Sequence, residues 1–152
     1  MRALTAVLLI ACGATAVWVL LRPRDSHNDC VAVEQLGRQW IAMSHSITAL
    51  QDGAGERDDL MAIADKEASM AQRIRAAAGS VSDPAVKEQL GKWADATALL
   101  ANSQRDSAHR PSQSTPPHSE DADYYRAAVM TREATAALLQ TCPQLPREAP
   151  AH

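Results

Sequence analysis

Apolar residues recur at helical spacing along most of the chain. Val33, Leu36, Trp40, Met43, Ile47 and Leu50 follow one another at intervals of three and four, an unbroken seam. This spacing predicts a first helix from about Asp29 to Leu50, broken by Asp52-Gly53-Ala54-Gly55. A second helix is expected from about Glu56 to Ala78, with Glu56, Asp58 and Asp59 as acid in its first turn. Leu60, Ile63, Met70 and Ile74 would face inward, flanked by Ala64, Ala68 and Ala71, and Gly79 would stop it. Asp83-Pro84 opens a third helix as N-cap and first-turn proline. Val86, Leu90, Trp93, Thr97 and Leu100 form its seam, and its end is expected near Ser103.

Residues 104–118, QRDSAHRPSQSTPPH, read as a polar Pro/Ser-rich loop. A fourth helix is expected from near Ser119 through Tyr124, Tyr125, Val129, Leu138 and Leu139 to Cys142, with Pro143 ending it. Alanines occur all around this helix, so its inward face is ambiguous. Residues 143–152 read as a disordered tail.

Before these helices lies Ala3 to Leu21, a run of 19 residues with no charge. As a helix it spans roughly 28 Å, about the thickness of a bilayer's hydrocarbon layer. Arg2 precedes it, Arg22 and Arg24 follow it, and Trp18 falls near the far end, where an indole suits the interface. Residues 1–24 are therefore expected to be an uncleaved transmembrane signal-anchor. Two other fates compete: cleavage at Ala14-Thr15-Ala16, giving a secreted protein, and a lipoprotein acylated at Cys12 within Leu9-Ile10-Ala11-Cys12.

The other two cysteines, Cys30 and Cys142, flank nearly everything helical. A pair at the limits of a domain suggests a disulfide, and disulfides persist in oxidising compartments. Short connections make helices one, two and three successive antiparallel neighbours. A Cys30–Cys142 bond then requires helix four to run down. The fold expected is all-α: an N-terminal transmembrane helix, then an up-down-up-down four-helix bundle over 25–142 closed by a disulfide. The charge on either side of the apolar run is nearly tied, so the cysteines decide orientation and place 25–152 outside the cytoplasm. Trp40 and Trp93 fall at similar heights, roughly 14–15 Å from the disulfide end, and should share a core layer with Met70. Ala128 and Thr131 would make room for the indoles.

Composition agrees with packed helices. Alanine supplies 30 of the 152 residues, phenylalanine is absent, and aromatics are 3%. The net charge of −3 gives no electrostatic pull toward nucleic acid, and none is expected as a partner.

The search for chemistry is mostly negative. Glu-x-x-His, His-Glu-x-x-His and Cys-x-x-Cys are absent, so no metal site or cofactor is expected. His27, His45, His109, His118 and His152 read as solvated. Met43, Met61, Met70 and Met130 suit core packing better than haem ligation. Glu67 is the one charge that falls near a seam. Buried, its carboxyl would gain an acid-base capacity; the plainer reading turns Ala64, Ala68 and Ala71 inward and leaves Glu67 at the edge. Tyr124 and Tyr125 beside the Pro/Ser loop would suit a recognition patch. The plainer reading has one of them capping the core.

The stretches DCVAVEQLGRQW and DYYRAAVMTREATAALL, with 12 Arg against 3 Lys, resemble small exported or membrane-anchored helical proteins of high-GC actinobacteria, especially mycobacteria. The resemblance implies no activity and no functional residues. The reading is a non-enzymatic envelope protein whose helical domain binds or scaffolds another envelope protein. Two alternatives stand beside it: a module holding an apolar ligand, lipid or haem, between Ala-rich helices, and an enzyme with a site near Glu67.

Overall fold

A computed structural model describes residues 27–50, 57–109 and 118–146. Among these residues there are four helices and no strand. They are α1 (27–50), α2 (Arg57–Ser80), α3 (Pro84–Ala108) and α4 (His118–Thr141). The expected anchor over 1–24, Cys12 and the break at 52–55 lie outside the described residues. Among the described helices none is long and apolar enough to cross a membrane.

Each contact between distant segments fixes a direction. Asp29, at the start of α1, accepts hydrogen bonds from the backbone of Ser82 and Asp83, just past the end of α2. Arg75 pairs with Asp95 and Arg105 with Asp65, so α2 and α3 run antiparallel. Cys30 and Cys142 are joined with their Cα atoms 5.2 Å apart, which brings the end of α4 to the start of α1. The result is the up-down-up-down bundle, with the disulfide and the α2–α3 turn at one end. At the other end the Arg57 Nε–H donates to the Ala108 carbonyl at 2.8 Å, capping α3 with a side chain from the start of α2.

The core runs the length of the bundle. Val33, Ile63, Ile74, Val86, Leu90, Trp93 and Leu138 are fully buried. On α2 the buried positions are Ile63, Ala64, Glu67, Met70, Ala71, Ile74 and Ala78, one stripe at helical period. Alanine recurs at buried sites on α2, α3 and α4, where its small side chain permits close helix approach.

Several boundaries and packing details differ from the sequence reading. Gly79 does not stop α2, which continues to Ser80. The chain leaves the helix one residue later because Val81 turns into the core and Asp29 takes up the amides that follow. The third helix passes Ser103 and ends at Ala108. Its polar last turns are held by Arg105 against Asp65, by burial of Ala108 and by the Arg57 cap. The expected loop over 104–118 therefore loses its first residues to α3 and its last to α4. The segment 143–146, expected to be disordered with the rest of 143–152, forms a turn in which the Leu145 N–H donates to the Cys142 carbonyl. Leu145 is buried, which anchors this strap; 147–152 lie outside the described residues. Ala128 is exposed, and Ala127 and Ala134 are the buried small residues of α4, which settles its inward face.

Candidate functional site

The disulfide end is built around Asp29 and Cys30. Asp83 caps α3, its Oδ1 accepting from Ala85 and Val86 at 2.8 and 3.3 Å. The amide of Asp83 in turn donates to Asp29 Oδ2 at 2.8 Å. Asp29 is itself buried, so one carboxylate ties α1 to the α2–α3 turn next to the covalent link to α4. Sequence reasoning placed Asp29 at a helix start and missed this role. Its carboxylate serves the amides of another turn, 53 and 54 residues away, and nothing local in the sequence marks that pairing.

Above the clasp, Trp40 and Trp93 pack with ring centroids 5.4 Å apart and planes tilted by 58°. Tilted aromatic pairs of this kind contribute about 0.5–1.5 kcal/mol beyond their buried area. Met70 lies in the same core cluster as Trp93, and Trp40 packs against it. Beside the indoles is a cavity of about 250 Å³, walled by α1, α3, α4 and the strap. Trp40, Trp93, Thr131, Thr135, Leu145 and Pro146 are among its lining residues, and none of the lining is charged. Trp93 Nε1 and Thr131 Oγ1 are themselves sealed from solvent and have no hydrogen-bond partner.

Glu67 is in the core at 6% exposure, not at the edge of α2. Its stripe needs a residue between Ile63 and Met70 on the buried face, and position 67 supplies it. Burial pushes the Glu67 carboxyl up to about 7, while the charge of Arg105 opposes the rise. Oε2 has no hydrogen-bond partner. Such a carboxyl can hold or release a proton near neutrality.

Tyr124 and Tyr125 are both exposed, at 55% and 71%, so neither caps the core as the plainer reading held. Val129, one turn after Tyr125, is also exposed. His27, His45 and His109 are exposed. Among the described residues no group of His, Cys, Asp and Glu is placed to hold a metal ion. A second, larger groove of about 490 Å³ lies between α1 and α2, with Met43, Met70, Asp65, Lys66 and Arg73 among its lining residues.

No family model, curated protein or solved structure matches the chain.

Proposed function

We propose that the protein is a membrane-anchored, non-enzymatic envelope protein whose helical domain, on the extracytoplasmic side, binds or scaffolds another envelope protein. One observation carries the reading: Tyr124 and Tyr125 project from α4 into solvent, on a bundle closed by a covalent clasp. Tyrosine is enriched at protein interfaces because it offers large contact area and a polar tip at low entropic cost. A disulfide between the two limits of the domain supports an oxidising compartment. The uncharged run from Ala3 to Leu21 supports the anchor. In this arrangement the apolar run enters the domain at the disulfide end, since Cys30 follows it by nine residues. The tyrosines of α4 then stand toward the opposite end, away from the membrane.

The test is photo-crosslinking in intact membranes from a probe placed at Tyr125, followed by mass spectrometry. A reproducible envelope-protein adduct, lost in a Tyr124→Ser/Tyr125→Ser variant of unchanged stability, supports the reading. Absence of any reproducible adduct refutes it. The intact mass of the membrane-extracted chain, with and without reductant and alkylation, decides between anchor, cleaved signal and acylation at Cys12.

A further inference from the structure

Helix α4 carries two stripes. Ala127, Ala134 and Leu138 are buried and face the bundle. On the solvent side Ala122, Tyr125, Val129, Arg132 and Ala136 follow one another at intervals of three and four, and all five are exposed. Leu139, half-buried, continues the line. Alternating intervals of this kind make a seam against which a second helix packs. The seam is complementary to itself when run in reverse. A two-fold axis at the height of residues 130–131 sets Tyr125 against Ala136 of a second copy, Leu139 against Ala122, and Val129 against the aliphatic stem of Arg132. Each large side chain then meets a small or flexible one. The charges beside the seam agree. Arg126 and Glu133 lie seven residues apart on one flank, both exposed. The same axis brings Arg126 of one copy within half a turn of Glu133 of the other, on the same side of the pair, and does so twice. Within its own chain Arg126 meets Asp123 at 3.3 Å, an exposed pair of the kind that contributes little. A parallel pairing instead stacks Arg132 on Arg132 and Tyr125 on Tyr125, and leaves Glu133 beside Ala128.

We propose that the solvent face of α4 binds a second copy of this chain, as an antiparallel helix pair centred between Met130 and Thr131. The inference names the partner of this face. It rests on the reading of α4 as an interaction surface, and not on the anchor or the compartment. Antiparallel pairing sets the two disulfide ends at opposite ends of the dimer. Two chains anchored in one membrane therefore pair with their bundles lying along its surface rather than upright.

The test is sedimentation equilibrium of the full-length chain in density-matched detergent, using variants whose thermal midpoints equal that of the wild type. The wild type should show a monomer–dimer equilibrium. Arg126→Glu and Glu133→Arg should each weaken the dimer by about tenfold or more, because each sets two like-charge pairs across the axis. The two reversals combined in one chain should restore it to within about threefold of wild type, since the pairs are then opposite again. Tyr125→Ser should weaken it by about tenfold, as loss of an aromatic anchor does, whereas Tyr124→Ser, off the seam, should leave it unchanged. Orientation is read by disulfide trapping. A mixture of Tyr125→Cys chains with Ala136→Cys chains should crosslink between chains. Tyr125→Cys alone should not, because antiparallel pairing keeps its two copies roughly 16 Å apart along the axis. A chain that sediments as a monomer throughout overturns the proposal. So does a dimer that neither charge reversal nor Tyr125→Ser weakens, a double reversal that fails to restore pairing, or a Tyr125→Cys chain that crosslinks to itself. A monomer whose Tyr125 photoprobe still captures an envelope protein overturns this inference alone. A dimer whose photoprobe yields only self-adducts overturns the reading of a different envelope partner and supports this one.

Discussion

A methyl group on Gly37 would lie 2.6 Å from Leu145 Cδ1 and 2.8 Å from Pro146 Cδ. The strap after the disulfide therefore packs directly on the backbone of α1, and glycine is there for that close approach. Leu145 can move its side-chain end, but the proline ring has less freedom. Gly37→Ala should cost about 1–3 kcal/mol in overpacking against a helix-propensity gain of about 1 kcal/mol. The expected net is a destabilisation of about 1 kcal/mol with faster hydrogen exchange at 142–146. Gly91 on α3 has open space at the same point, so Gly91→Ala should stabilise by about 0.5–1 kcal/mol. Urea midpoints of the two variants check the opposite signs. A stabilised Gly37→Ala with an unperturbed strap would contradict the contact.

The Cys30–Cys142 bond closes a loop spanning 112 residues. On a chain-entropy argument a loop near that size stabilises by about 4–5 kcal/mol. That is a large share of the roughly 5–15 kcal/mol typical of a domain. Replacing both cysteines by serine should lower the urea midpoint by the corresponding amount, and reductant should do the same to the wild type but not to the variant. The loss should be largest in protection of the first turns of α1 and of 138–146. Equal midpoints with and without reductant would show that the bond contributes nothing.

Asp29 takes amide hydrogen bonds from both Ser82 and Asp83 while itself nearly out of solvent. Hydrogen bonds to a charged acceptor contribute about 1.5–3 kcal/mol each, and orphaning the amides adds to the loss. Asp29→Ala should destabilise by about 2–4 kcal/mol. Asp29→Asn, which retains one acceptor oxygen, should cost less. The two variants differ mainly in the α2–α3 turn, so hydrogen exchange at residues 81–83 distinguishes a local loss from a global one.

Much of this architecture is legible in the sequence because period and punctuation agree. The Val33–Leu36–Trp40 seam, the Asp83-Pro84 start and the two flanking cysteines each have a local physical meaning, and together they leave one helix order. The shared storey of Trp40 and Trp93 follows from counting rise along two helices. What the sequence conceals is pairing between distant polar atoms. Asp29 looks like an ordinary helix-start residue until the turn at 82–83 is placed beside it. Gln104 to Ala108 has the composition of a loop, and its helical state depends on Asp65 and Arg57 from another helix. Leu145 sits in a proline-flanked tail, yet it joins the core cluster and lies against Gly37; that glycine within a helical seam is the faint signal of the approach. The orphaned Trp93 N–H is invisible to periodicity, which ranks the indole as core and says nothing of its donor.

Glu67 should contribute a pH dependence of stability whose sign is opposite to that of a salt-bridged carboxylate. Burial raises its folded-state value from 4.5 to about 7, so between those values the folded chain binds more protons at this site than the unfolded chain. Stability should fall as pH rises through that window and level off above it. The full shift corresponds to roughly 3–4 kcal/mol, at about 1.4 kcal/mol per pH unit. Glu67→Gln keeps the shape and removes the charge that burial disfavours. It should be near neutral at pH 4 and more stable than wild type by roughly 3 kcal/mol at pH 8. The difference between wild type and variant isolates this site from every other titrating group. Urea midpoints measured from pH 4 to 8 check it. Parallel curves for the two proteins would show that the buried carboxyl titrates as an exposed one does. Removing the opposing charge by Arg105→Gln should move the wild-type window to higher pH, and a shift to lower pH would place Arg105's influence elsewhere.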